Sequence, residues 1–265
     1  IMTLGKIFDK QVRGRVLGIF FSSAFLGSIF GLLCSAIAPW HWLFIVPTIL
    51  GLVLTVALFF CPNEGMGAHQ STKINYFDAF RLQGLRKILI LIFFMSLFFH
   101  GVVKWYGVFL DKVYGLNQFT ISVLIIITAV ASMLGQLFGG VVTDKLGRLY
   151  SCILGTGLLA LAVMGLFLKF SIVILGIVLC LVSIGWTIAH NGISTVLTDF
   201  PDKYRMELAA LNSAVRFLSG GIGFWLSGNF VQKNFGLTFL SIGFMMFLLL
   251  PWIYVVISKQ ERVKI

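Results

Sequence analysis

The chain has 265 residues, 59% of them hydrophobic and 11% charged, with a formal net charge of +11 and a mean hydropathy of +1.02. A soluble domain carries about 25% charged residues, so these values exclude a water-soluble globular fold and point to an all-α integral membrane protein. The basic balance does not call for nucleic acid as a partner, because the positive charges follow a membrane topology.

A spanning helix takes about 20 mostly apolar residues. Eight stretches reach that length: 16–37, 42–61, 88–110, 121–142, 151–168, 171–197, 208–231 and 236–258. Lys6, Lys10, Arg13 and Arg15 precede the first stretch, which is too long for the core of a cleavable signal peptide. The chain opens on Ile1, so the start of the protein is expected to lie upstream. Between the second and third stretches runs a long polar segment, 62–87. Its end, Tyr76 to Leu82, reads either as an amphipathic helix on the membrane surface or as plain linker. The other connections are short.

One of them, Gly140-Val-Val-Thr-Asp144-Lys145-Leu146-Gly147-Arg148, reads as a tight charged turn between the fourth and fifth stretches. Charges between spans are costly unless they reach water, so this turn is placed at a membrane surface. Cys34, Cys61, Cys152 and Cys180 sit in or at the ends of apolar runs without metal-ligand spacing, and read as small apolar residues. Gly155-Thr156-Gly157 and Gly220-Gly221-Ile222-Gly223 lie inside spans with no strand before them, which fits helix packing and not a nucleotide loop. No enzyme signature, cofactor or metal is expected.

With a cytoplasmic amino terminus, the cytoplasmic segments carry 15 of the 20 lysines and arginines, and the outer turns hold only Lys112, Lys169 and Lys233. This bias places both termini in the cytoplasm. Lys104 and Arg216 lie within spans. The first two spans also resemble the last two. A shift of 192 brings Arg13 onto Arg205, Phe25-Leu26 onto Phe217-Leu218, and Gly27, Gly31 and Ser35 onto Ser219, Gly223 and Ser227. Such small-residue stripes let helix backbones approach closely, and the repeat suggests a transporter built from duplicated bundles.

Gly140-x-x-x-Asp144-Lys145-x-Gly147-Arg148 resembles the signature loop of the major facilitator superfamily, Gly-x-x-x-Asp-Arg/Lys-x-Gly-Arg-Arg/Lys, and departs from it at Leu149, where a second base is usual. Trp40-His41-Trp42-x-Phe44 resembles the Trp-Arg-x-x-Phe that opens the sixth helix of many members. The resemblance covers nearly the whole chain. It implies a truncated major facilitator fold with about eight transmembrane helices, matching helices five to twelve of twelve. Residues 1–61 would be the last two helices of the N-terminal bundle, 62–87 the central cytoplasmic loop, and 88–265 a complete C-terminal six-helix bundle. A gating role for Gly140, Asp144, Lys145, Gly147 and Arg148 is implied in the same way. Physically, Asp144 could accept hydrogen bonds from a neighbouring helix amino terminus. Ala131, Gly135 and Gly139 form a stripe expected to face Gly27 and Gly31 between the bundles. Trp105-Tyr-Gly-Val-Phe-Leu110, Val46-Pro47 and Cys61-Pro62-Asn-Glu-Gly65 resemble strings of the organophosphate:phosphate antiporter and organic-anion symporter branches, with Phe99 where those antiporters carry an arginine.

Four stretches carry polar residues at helical spacing: Ser96, His100 and Lys104; Thr128, Ser132 and Gln136; Ser183, Thr187, His190, Asn191 and Ser194; Asn212, Arg216 and Ser219. Intramembrane ionisable groups of this kind mark substrate pathways. Arg216 is the leading candidate for contact with an anionic substrate, a structural pairing being the alternative. His100 and Lys104 share its expected cavity, against a histidine satisfied between helices and a lysine reaching the surface. His190, Asn191, Gln136 and Asn212 complete the candidate substrate-binding set. Trp105, Tyr106 and Trp186 fit either cavity lining or packing and interface anchoring. No Asp or Glu lies deep in any of the eight stretches, which favours an anionic substrate, since a buried base needs a negative partner.

The expected function is secondary active transport of a small solute, an organic anion, by alternating access, coupled to a proton or to an exchanged anion. Two rivals stay open: export of drugs or other amphipaths, and a transporter-like membrane sensor without flux. A monomer in a bacterial inner membrane is expected, with the bilayer and a small molecule as its partners.

Overall fold

The computed structural model describes residues 8–9, 11–37, 39, 41–60 and 75–262. Among them are ten α-helices and one short 3-10 helix. The helices are α1 Arg13–Ile37, α2 Trp42–Phe60, α3 Tyr76–Phe80, α4 Leu85–Val103, α5 Tyr106–Tyr114, α6 Gln118–Leu146, α7 Arg148–Gly165, α8 Ile172–Leu197, α9 Arg205–Val231 and α10 Phe235–Arg262, with the 3-10 turn at Asp202–Tyr204.

Every expected span has a helix, with three differences. The third stretch is broken: α4 ends at Val103 and α5 starts at Tyr106. Charged Lys104 is exposed at the break, and the Trp105 indole donates to Ser227 Oγ of α9 at 3.0 Å, turning the chain towards that helix. The signature segment is not a turn either. α6 runs on through Asp144 and Lys145 to Leu146, and only Gly147 interrupts it, at φ +87°. Glycine alone occupies that left-handed region without penalty, so a single residue separates α6 from α7. Finally, among the described residues six segments are long and apolar enough to cross a membrane: Arg13–Cys34, Leu85–Tyr114, Gln118–Leu146, Arg148–Gly165, Ile172–Leu197 and Phe235–Gln260. α9 is long enough at 27 residues but carries Arg205, Glu207, Asn212 and Arg216, while α2 is shorter and almost wholly exposed.

The body of the fold is α4 to α10, held by close backbone contact at glycines, as expected where lipid supplies no hydrophobic drive between helices. A Cβ on Gly185 of α8 would lie 2.6 Å from Leu159 N of α7, and one on Gly139 of α6 would lie 3.0 Å from Ile188 Cα of α8. A Cβ on Gly101 of α4 would meet Gly223 O of α9 at 3.2 Å. Leu91, Phe109, Leu159, Leu179 and Phe239 are fully buried between these helices.

α1 leans on α6, but not through the stripe expected. Gly135 and Gly139 face Thr187, Ile184 and Ile188 of α8, and among the described residues nothing lies within 4 Å of a Cβ on Gly27 or Gly31. The crossing uses Gly14, Gly18 and Ser22 instead. Gly18 sits against Gln136 O, and Ser22 Oγ donates to Met133 O at 3.0 Å. The two stripes lie on different faces of α1, because five residues from Ser22 to Gly27 turn a helix by about 140° at 3.6 residues per turn. Of the long polar segment, 62–74 lies outside the described residues. Its end forms α3, capped by Asn75 and tied to α9 where Asn75 N donates to Glu207 Oε1 at 3.1 Å.

Candidate functional site

Arg216 lies eleven residues past the start of α9, roughly 16 Å along the helix at 1.5 Å per residue. Its Nε donates to Asn212 Oδ1 at 2.8 Å and its Nη2 to Ser194 Oγ of α8 at 3.3 Å. Both acceptors are neutral, and among the described residues Arg216 forms no ion pair. A partly buried guanidinium therefore keeps its charge uncompensated, with N–H donors left over from its fork of five.

The α9 turn that carries Arg216 is fixed by α4. Ser96 Oγ donates to Arg216 O at 3.0 Å. One turn along α4, His100 Nδ1 stands 2.8 Å from Ser96 O. A carbonyl only accepts, so Nδ1 carries the hydrogen and Nε2 is left as the acceptor of the neutral ring. The imidazole rests on Gly220 of α9, where a Cβ would come within 3.1 Å of it.

An aromatic wall closes one side. Phe99 and Trp186 stack with centroids 3.9 Å apart and planes at 3°. His100 meets Trp186 edge-on at 6.0 Å, and Trp186 leads to His190 at 5.7 Å. His190 Nδ1 lies 3.2 Å from Gln136 Nε2 of α6, and its ring packs edge-on against Phe21 of α1 at 4.5 Å. Among the described residues, Gln136 Oε1 is buried without a hydrogen-bond partner.

The structure thus gathers Arg216, Asn212, His100, His190 and Gln136 from α4, α6, α8 and α9 around one region, with Phe21 reaching in from α1. Lys104 stands apart, exposed at the break between α4 and α5. Asn191 turns to α1, where its Nδ2 donates to Gly14 O at 3.2 Å. Thr128, Ser132 and Thr187 return their hydroxyls to carbonyls of their own helices, at Ile125, Thr128 and Ser183. That satisfies them without a ligand. Phe21 carries no mark in the sequence, since nothing distinguishes it among 27 phenylalanines, and Phe99, marked only as standing where the antiporters carry an arginine, proves to be the stacking partner of Trp186.

The signature segment makes the contact its chemistry suggested. Asp144 Oδ1 accepts from Gly14 N at 2.8 Å and Oδ2 from Arg15 N at 2.9 Å, both in the first turn of α1. Arg15 Nε adds a bond to Oδ2 at 3.1 Å. Unpaired N–H groups and the positive end of the helix dipole make that turn a good place for a carboxylate. Gly140 lies directly against Gly14 O, and Arg13 Nη1 donates to Thr198 O at 3.3 Å. Arg148 pairs with Asp199 at 2.6 Å, tying the start of α7 to the α8–α9 connection. Lys145 is exposed. Asp199 was the unmarked member of this set, because a loop aspartate looks the same in sequence whether solvated or paired.

Comparison with known proteins gives the fold and the family. The solved structure of the major facilitator superfamily proton:xylose symporter XylE, bound to 6-bromo-6-deoxy-D-glucose, matches with a TM-score of 0.68 at 16% identity. The match covers 96% of this chain and 66% of the symporter, so the chain spans just under two thirds of that length. A family model, Major Facilitator Superfamily, matches residues 2–224. With long apolar helices among the described residues, the Asp144 segment at its helix junction and that family match over most of its length, the chain belongs to the major facilitator superfamily, a family of membrane transporters and not of enzymes.

Proposed function

We propose that the protein moves a small organic anion across the membrane by alternating access, with Arg216 as the anion contact. The observation that carries this is a guanidinium in mid-helix whose side-chain partners, Asn212 and Ser194, are both neutral. A buried cation gains most from an anion that completes its hydrogen bonds, and the planar fork suits a carboxylate or phosphate. His100, with Nε2 free of the Ser96 bond, is the group that would carry a coupled proton, and an exchanged anion is the alternative coupling. His190 and Gln136 would line the same cavity, and Lys104 would attract anions at its mouth. Residues 1–61 would complete the site from the other bundle, and 88–265 would form the second bundle. Gly140, Asp144, Lys145, Gly147 and Arg148 would latch the bundles together at one end of the cycle. The charge asymmetry supports cytoplasmic termini, in a bacterial inner membrane, with a monomer as the working unit.

The aromatic wall of Phe99, Trp186 and Phe21 favours a second reading, export of amphipathic compounds, which bind by apolar contact. Uptake by the full-length protein in proteoliposomes separates the two. The substrates are labelled mono- and dicarboxylates and organophosphates. Arg216→Ala should lower uptake of the accepted anion by about 10- to 150-fold, the value of a hydrogen bond to a charged group. Arg216→Lys should recover part of it, because charge returns without the fork. Unchanged kinetics in Arg216→Ala for every anion would sink the anion reading. Binding without any flux would indicate a sensor.

A further inference from the structure

We propose that the groove between α4, α9 and α10 binds an anionic phospholipid, with one acyl chain in the groove and the phosphate at Lys233. The groove encloses about 560 Å³ and lies at the end of the bundle opposite Asp144. It is separate from the Arg216 region, since none of Arg216, His100, His190 and Gln136 lines it.

Its depth comes from glycines. Gly101 and Gly223 form the floor where α4 and α9 touch: a Cβ on Gly223 would run into the Leu97 backbone of α4, and one on Gly101 would lie 3.5 Å from Ser227 Cβ and 3.6 Å from Ile242 Cδ1 of the groove wall. The walls are apolar, from Leu97 and Phe98 on α4 to Ile242 on α10. The lips do not close: Phe230, Leu237 and Met245 are 60%, 54% and 49% exposed. An apolar slot open sideways between two long helices suits an acyl chain better than water. Along α10 it runs from Thr238 to Met245, about 10 Å at 1.5 Å per residue, which is two thirds of a leaflet about 15 Å thick.

The mouth supplies the headgroup chemistry. Lys233 lies in the α9–α10 turn, exposed, and among the described residues it has no ion-pair partner. No lining residue is acidic. Neighbouring side-chain oxygens are already engaged: Asn234 Oδ1 accepts from Leu237 N at 2.9 Å, and Thr238 Oγ1 donates to Asn234 O at 2.7 Å. Among the described lining residues the ammonium is thus the one charged group at the mouth, with the Asn234 side-chain N–H groups beside it as further donors to a phosphate. An apolar slot as deep as most of a leaflet, capped by one cation at the headgroup level, fits a phospholipid carrying net negative charge. A zwitterionic lipid would fill the slot but bring its own cation to the lysine.

The test is lipid retention by the full-length protein, released from nanodiscs that contain equal amounts of phosphatidylglycerol and phosphatidylcholine with the same chains, and read by native mass spectrometry. Wild type should keep phosphatidylglycerol in preference. Lys233→Ala should reduce that preference by roughly fivefold, the value of one lysine near an anionic headgroup. Ser241→Trp, placed in the exposed lip of the groove, should displace both lipids while leaving the melting temperature unchanged. Equal retention of the two lipids by wild type overturns the proposal. So does a preference that survives Lys233→Ala, or retention that survives Ser241→Trp. Retention of oleate in place of either phospholipid would assign the groove to a fatty acid and likewise overturn it.

Discussion

Replacing Asp144 with alanine should open the end of the molecule where α1 meets α6. The carboxylate accepts from two backbone N–H groups, Gly14 at 2.8 Å and Arg15 at 2.9 Å. A hydrogen bond to a charged acceptor contributes about 1.5 kcal/mol at the lower end of its range, so the two together favour the closed contact by about 3 kcal/mol. The Arg15 side chain is 54% exposed, and its ion pair adds little in water. A loss of about 3 kcal/mol changes the ratio of closed to open forms by roughly 100-fold. Spin labels at Gln11 and Lys145, both exposed and both beside this contact, would report the separation of α1 and α6 by pulsed electron resonance on the full-length protein. Wild type should give a dominant short distance, and Asp144→Ala a dominant longer one. Asp144→Asn, which keeps one acceptor, should fall between. If the distance distribution of Asp144→Ala matches wild type, the two backbone bonds do not hold the contact and the latch reading is wrong.

Arg148 and Asp199 should behave as a coupled pair. Their side chains are 19% and 3% exposed at 2.6 Å, so removing either partner should cost about 3 kcal/mol, and the double alanine variant should cost clearly less than the sum. Thermal unfolding of the full-length protein in detergent measures this, and strict additivity would show that the pair is not coupled. Gly155→Ala should destabilise by about 1–3 kcal/mol, because its Cβ would lie against backbone atoms, at 2.8 Å from both Ala189 Cα and Gly185 O. Gly221→Ala is the control, with nothing within 4 Å among the described residues and an expected change within about 0.5 kcal/mol. Equal melting temperatures for these two variants would refute backbone contact as what holds α7 to α8.

Much of this was legible beforehand for particular reasons. Arg216 stood out because one charge in an apolar run is conspicuous, and Asp144 because its spacing to Gly140, Gly147 and Arg148 repeats a known pattern. Asp144's affinity for a helix amino terminus followed from charge alone, and α1 supplied that terminus. Other features carried no such mark. Gly135 and Gly139 pair with α8 and not with the Gly27–Gly31 stripe, because small-residue stripes on α1, α6 and α9 look alike in sequence and any two could meet. The α4–α5 break came without proline, so nothing local announced it. Asn191 shares a helix with His190 and Ser194, yet the 100° between successive helical residues sends its amide to Gly14 instead.

By itself, then, the sequence determined the class and order of elements, the membrane setting and the candidate charges. These depend on hydropathy runs and on single residues, properties that are local along the chain. The tertiary structure alone decided which faces meet. It set Arg216 between Asn212 and Ser194, stacked Phe99 on Trp186, brought Asp199 to Arg148 and left the α4–α9–α10 groove open. In a membrane, apolar burial does not select one helix face over another, since lipid covers each equally well. Selection passes to close backbone approach and a few hydrogen bonds, whose partners are distant in sequence and become neighbours only in the folded bundle.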